Sequence, residues 1–458
     1  MAVKSRRRSA AARATVRETA ATDHPTHIVL FRQASEANEQ VVAKALKVRP
    51  MTTARSALGI HELGAPGTPA HASVYPQLGV AAVSASQTEL ARIEADPSVE
   101  EVFVNEERHI PDPAADASIE QGSLAGSRGL DYLLGLREGI DTALAALTGR
   151  REPPTVPTRR PEGAGAITRS MTWGLGAVGI AHGYAYTGRG ATVAVLDTGI
   201  DLQHPDLQGR VQEGTTARSF VPGQGVQDGN RHGTHCCGTV AGPLISVGGV
   251  RYGIAPDVSL LVGKVLSDAG SGWDNQIIDG IQWAASEGAN VISMSLGSVR
   301  QDNGPYSRLY ERVAERLLEG SPGTLLVAAA GNGSRRPLFT MPVENPAACP
   351  SILAVAAVDE SMAIAAFSCR QMDGIGAVEV SGPGVSVYSS VPGGRFEYLS
   401  GTSMATPHVA GVAALYIEAN PKIAASELWD RLVADARPLG DHADFGSGMV
   451  RAPATGGT

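Results

Sequence analysis

Four polar residues of this 458-residue chain sit where backbone geometry could put them to chemical use. Ser403 lies in Gly401-Thr402-Ser403-Met404-Ala405-Thr406-Pro407-His408-Val409-Ala410-Gly411, immediately ahead of an Ala-rich helical pattern. The unpaired N–H groups and positive dipole end of such a helix stabilise negative charge that develops on or beside a serine oxygen. Pro407 falls near the first turn, where a missing N–H costs least. Asp197 closes the apolar run Val193–Leu196, with Thr198-Gly199 turning the chain away, so its carboxylate is poised to orient a partner. His232 stands in a run of small residues, Gly233-Thr234-His235-Cys236-Cys237-Gly238-Thr239-Val240-Ala241-Gly242, that lets a helix start close against a sheet. With His235 in the same segment, the residues alone leave open which histidine matters. Asn332, after the run Leu326–Ala330, offers a side-chain amide donor; together with the Ser403 N–H it can form an oxyanion hole.

Elements with the right periodicity surround these residues. From Trp173 to Pro453 short apolar runs alternate with helical patterns, which predicts a parallel sheet covered on both faces. The expected strands are Thr192–Leu196, Ser259–Val265, Val291–Met294, Leu325–Ala329 and Ile352–Val358, with helices over Asn275–Ser286 and Tyr306–Leu318. In such sheets chemistry gathers at the carboxyl ends of the strands.

Ahead of this region the pattern changes. Residues 1–24 are basic and aperiodic, which reads as a disordered leader. Residues 25–110 carry a strand at Ile28–Phe31, a helix from Ser35 to Val48 and a weak strand near Ala57–Leu63. They continue with a strand at Gly79–Val83, a helix capped by Ser86 with Glu89 at the capping-box spacing, and a strand at Val99–Val104. That order is the split βαβ motif of a small α+β, ferredoxin-like domain. Residues 111–170 are rich in Pro, Arg, Gly and Ala and read as a linker with one amphipathic helix through Leu130, Leu133, Leu134, Ile140, Leu144 and Leu147. The expected fold is therefore an α/β, mostly parallel, doubly wound sheet over 171–453, preceded by the α+β domain and followed by a short tail, 454–458.

Taken together, the segments around Asp197, His232, Asn332 and Ser403 resemble the motifs of the subtilisin-like serine proteases, in that family's order. The resemblance covers roughly the last 280 residues, with Gly270-Ser271-Gly272, Ser295-Leu296-Gly297, His204-Pro205-Asp206-Leu207 and Phe445-Gly446-Ser447-Gly448. It implies that Ser403 is the nucleophile, His232 the general base and acid, Asp197 the residue that holds the imidazole, and Asn332 the oxyanion donor. It also implies a substrate backbone added as a strand between Gly270-Ser271-Gly272 and Ser295-Leu296-Gly297. Leu78-Gly79-Val80, Leu90 and Val99–Val102 are similar to the family's inhibitory propeptide. The expected function is thus a self-processing serine endopeptidase with peptide or protein substrates and its own propeptide as intramolecular inhibitor. The alternatives are a permanently inhibited binding scaffold, or a peptide ligase working through the same acyl-enzyme. The resemblance, which aligns Asn345-Pro346 with the family's Tyr-Pro pair, implies that Glu344 stands at the floor of the pocket for the side chain preceding the cut, where a carboxylate favours Arg or Lys; a solvated surface glutamate is the competing reading. Arg169 stands just ahead of the expected mature start and suits self-processing.

Two departures from the family pattern bear on ligands. No cofactor is expected to be required. A calcium ion stays open, since Asp206 matches one ligand, but Gly242–Gly249 lacks the Asn-rich loop that completes the family's strong site. Cys236 sits where proteinase K-like members carry a free thiol, and Cys237 cannot pair with it without strain. Mercurials or oxidants acting there would crowd His232.

Composition narrows the rest. A net charge of -8 argues against nucleic acid as a partner, and no apolar run of about 18 residues suggests a membrane span. Arg6, Arg7 and Arg8 precede a charged stretch rather than an apolar one, so no export signal is recognised. The expectation is a monomer, cytoplasmic or secreted by a route the sequence does not reveal, with four free thiols at Cys236, Cys237, Cys349 and Cys369.

Overall fold

Strands buried on both faces need apolar residues at nearly every position, and helices that pack closely on them need small ones. Both conditions are met along most of the chain. The computed structural model describes residues 24–51, 53–64, 71–111, 170–300 and 304–454. Apart from their boundary positions, the expected leader and the linker with its amphipathic helix lie outside the described residues, as does the tail beyond 454. The chain divides into two units: one up to Thr53 with His61–Asn105, the other Ala54–Ile60 with Glu106 onward.

In the first unit an antiparallel sheet contains β1 (His27–Phe31), β2 (Arg49–Met51), β3 (His61–Gly64), β4 (Ala72–Tyr75), β5 (Val80–Val83) and β6 (Val99–Val104) in the order β2-β3-β4-β5-β1-β6. Helices Ala37–Leu46 and Gln87–Glu94 pack on it, burying Val42, Leu90 and Ile93 against Val29, Phe31, Val74 and Val83. The Ser86 cap forms as expected: Ser86 N–H donates to Glu89 Oε2 at 2.8 Å and Glu89 N–H to Ser86 Oγ at 3.4 Å. The strand expected near Ala57–Leu63 starts later, as β3 at His61, because Ala54–Leu58 is a 3-10 turn that belongs to the second unit. The strand beside β5 is the unexpected β4, with Ala72 opposite Val83 and Tyr75 opposite Val80. All four β4 residues are buried, so no in–out alternation marked it.

The second unit holds β7 (Glu107–His109), β8 (Ser170–Met171), β9 (Thr192–Asp197), β10 (Ala217–Ser219), β11 (Val250–Arg251), β12 (Ser259–Lys264), β13 (Ser271–Trp273), β14 (Val291–Met294), β15 (Leu325–Ala329), β16 (Leu353–Val358), β17 (Val380–Pro383), β18 (Val387–Val391) and β19 (Arg395–Leu399). Its main sheet is β10-β12-β9-β14-β15-β16-β17, parallel throughout. The five inner strands match the expected ones closely. The three-residue edge β10 and the Gly- and Pro-containing edge β17 carry too little pattern to be read beforehand. Val193 and Val195 join Val240, Ala410 and Val412 of helices His232–Ala241 and Thr402–Ala419 in one core. Leu196 meets Gly280 of helix Asp274–Ser286, where an added Cβ would lie 3.3 Å from a Leu196 methyl. Helix Arg308–Leu318 packs on β15. No helix among the described residues is long and apolar enough to cross a membrane.

Candidate active site

Asp197 is the last residue of β9 and is fully buried. Its carboxylate accepts the Thr198 N–H at 2.7 Å and faces His232 Nδ1 at 2.8 and 3.0 Å. His232 opens the helix His232–Ala241, which starts close under the preceding turn: a Cβ on Gly233 would stand 2.3 Å from Gly199 O. Arg231, just before, has φ 96°, a conformation that costs energy for a side-chain-bearing residue. Asp228 holds that turn. It accepts N–H bonds from Asn230 at 2.9 Å, Arg231 at 3.0 Å and Thr234 at 2.8 Å, plus the Thr198 hydroxyl at 2.9 Å. The sequence reading overlooked Asp228; its one signal is an acidic residue four positions ahead of the histidine.

Burial disfavours a charged imidazole at His232, but the Asp197 carboxylate outweighs it, so the net shift is upward. With Nδ1–H given to Asp197, Nε2 is left as the basic nitrogen. His235, the rival, has no such partner: its Nε2 meets Val387 O at 2.9 Å and burial lowers it to about 3. Of the two histidines, His232 is the one that faces a carboxylate.

Ser403 is the second residue of the helix Thr402–Ala419. Among the described residues neither its Oγ nor His232 Nε2 has a hydrogen-bond partner, and both residues line one cleft. Asn332 follows β15, and its Oδ1 accepts both the N–H and the hydroxyl of Thr402 at 2.9 Å, which leaves Nδ2 as the outward donor. Pro407 lies in the second turn, not the first. The hydrogen bond it removes is the one to Ser403 C=O, and that carbonyl accepts the Ser295 hydroxyl at 2.8 Å and the Cys236 thiol at 3.6 Å instead.

A segment of the chain itself occupies the cleft. β7 runs antiparallel to β13, with Arg108 opposite Gly272 and His109 opposite Ser271. His109 exchanges both backbone hydrogen bonds with Gly297, at 3.0 and 2.9 Å, and Ile110 N–H donates to Gly270 O at 3.0 Å. Asn332 Nδ2 donates to Pro111 O. The segment thus lies along Gly270-Ser271-Gly272 and Gly297, two of the places where a substrate strand is expected. The Ser295 hydroxyl is turned to Ser403 O and Leu296 is buried.

Glu344 is buried, not solvated. A Cβ on Gly331 would lie 2.4 Å from its Cδ and one on Gly297 3.6 Å from its Oε2, so its carboxylate sits between the two strand ends that flank the Ser403 cleft. At Asp206 the donors do not suit calcium. Its two oxygens accept the Ser246 hydroxyl at 2.6 Å, the Tyr252 hydroxyl at 2.9 Å and the Val247 N–H at 2.9 Å, positions where a cation would need lone pairs. All four cysteines are free and buried, and burial pushes the Cys236 thiol well up.

Comparison with known proteins accords with this geometry. Residues 188–449 match the model of the subtilase family. Subtilisin E of Bacillus subtilis is 42% identical over 277 residues, 60% of this chain and 67% of the relative. Subtilisin of Bacillus pumilus is 41% identical over 277 residues, covering 60% and 93%, and M-protease of Shouchella clausii 40% over 291 residues, covering 63% and 70%.

Proposed function

The chain belongs to the subtilase family of serine peptidases, and from that premise we propose that it is an endopeptidase that first cuts itself. The Ser403 hydroxyl attacks a peptide carbonyl carbon while His232 Nε2 takes its proton, and the resulting oxyanion is held by Asn332 Nδ2 and the Ser403 N–H. Collapse breaks the C–N bond, with the proton returned to the leaving amine; water then repeats the sequence on the acyl-enzyme. The observation that carries this reading is Pro111 O at the Asn332 amide, in a segment bound as a strand through Gly270 and Gly297.

That registration favours the Pro111–Asp112 bond as the first self-cleavage site, with residues 25–111 as the propeptide and 107–111 as its inhibitory end. Glu344 favours Arg or Lys at the residue preceding the cut. Pro111 is not such a residue, and Arg169 supplies the basic residue for a later cut. No cofactor is required for any of these steps.

The test is intact mass and N-terminal sequencing of the wild-type chain beside Ser403→Ala after incubation at neutral pH. Self-cleavage gives a new N-terminus at Asp112, followed by one at Ser170, in the wild type alone. If both proteins stay whole and neither reacts with a serine-directed fluorophosphonate, the site is a closed binding scaffold and the endopeptidase reading is wrong. Supplying an amine nucleophile with a cleaved peptide separates hydrolysis from ligation.

A further inference from the structure

Arg108 is the fourth residue back from the carbonyl at the Asn332 amide, counting Pro111 as the first. Its guanidinium is almost wholly buried and meets Asp274 as a fork, Nε to Oδ1 at 2.7 Å and Nη2 to Oδ2 at 3.1 Å. Nη1 donates to Ser298 Oγ at 2.6 Å, Glu106 lies 2.9 Å from Nη2, and the group stands 5.8 Å over the Tyr310 ring. Tyr310 in turn donates its hydroxyl to Asp274 Oδ1 at 2.8 Å. A planar cation is thus gripped edge-on by a carboxylate and covered by an aromatic face, a combination that suits guanidinium better than ammonium.

Three of these groups, Asp274, Tyr310 and Ser298, belong to the wall of the cleft and not to the segment lying in it. Once the segment leaves, Asp274 loses the cation it now grips, and another guanidinium can take the place. We propose that Asp274, Tyr310 and Ser298 form a specificity pocket that selects arginine at the fourth residue before the cleaved bond. This rests on the endopeptidase reading above. The preferred substrates are peptides with an arginine at that position, and Arg108 shows how it binds.

The experiment uses enzyme that has processed itself and labels with fluorophosphonate. Its kcat/KM is measured on acetyl-Xaa-His-Ile-Arg-aminomethylcoumarin with Xaa as Arg, Lys, Ala or Phe, and on the same four with Phe before the coumarin. Arginine is expected to exceed alanine by about tenfold or more, with lysine between them, as a desolvated, charge-assisted fork should. In Asp274→Asn the Arg-to-Ala ratio falls towards one; being a ratio, it is insensitive to how much of the variant is folded. An enzyme that cleaves these peptides with no preference at Xaa overturns the pocket while leaving the endopeptidase reading intact, and Arg108 then serves only to hold the chain's own segment. A protein that neither labels nor cleaves any of the eight peptides or casein overturns both.

Discussion

At the scale of single residues, the chemistry depends on a few polar atoms whose alternatives have been closed off. Asn332 can present only Nδ2 to the cleft because Thr402 takes both bonds to Oδ1. If it serves as an oxyanion donor as proposed, Asn332→Ala lowers kcat by about 100- to 1000-fold with little change in KM, the usual cost of losing one such donor. His232 must be neutral to accept a proton, and Asp197 raises its pKa. Activity should accordingly rise with pH through an ionisation above 6.5 and be lost below it; an inflection well under 6.5 would contradict the role given to Asp197. Cys236 Sγ lies 3.9 Å from His232 Nδ1, yet its thiol is buried and pushed up, so oxidants should act poorly. Mercuric ion, which can also draw on Asp197 and His232, should inhibit, and Cys236→Ala should be resistant in the same assay. The motifs singled out Asp197, His232, Asn332 and Ser403; the fold pairs Asp197 with His232, puts His232 and Ser403 in one cleft, and turns the Asn332 amide to Pro111 O in the segment that lies there. Asp228 and Asp274 were not legible in the sequence, because an isolated carboxylate acquires meaning only from the turn or cation that folding brings to it.

At the scale of elements, legibility followed burial pattern. An inner strand such as β15 is a continuous apolar run and is legible to its ends, whereas β10, β17 and β4 are short and lack a contrast between faces. The helix carrying Ser403 shows how an apparent flaw is accommodated. Pro407 frees the Ser403 carbonyl, and Ser295 supplies the donor from the neighbouring strand end. Ser295→Ala should lower stability by about 1–3 kcal/mol, since it leaves a buried carbonyl with only a weak thiol donor. Pro407→Ala should recover part of that loss by restoring the helical N–H. Denaturant midpoints of the two single variants and the double variant, all in a Ser403→Ala background to prevent self-digestion, give the coupling; strictly additive effects would refute it.

At the scale of the whole molecule, two histidines are buried in neutral form. His235 is lowered to about 3 and His408, which donates Nδ1–H to Met404 O at 2.8 Å, to about 4. The unfolded chain takes up these protons near pH 6.5 and the folded one does not, so the stability that neutral His235 and His408 contribute is fully present above 6.5 and drains away as the pH falls towards 4. The denaturant midpoint of Ser403→Ala should fall steadily over that interval, and His408→Gln should flatten the slope; a midpoint constant from pH 7 to 4 would remove the argument. The cleft-bound segment has a further consequence for whole-molecule behaviour. While joined to the chain, residues 107–111 meet their slot at an effective concentration that does not fall on dilution, and a dilute substrate competes poorly against that. Severed, the same segment is an ordinary ligand whose hold weakens on dilution. The moment at which the enzyme becomes active would then depend on how far it has spread from where it was made, so distance acts as its clock.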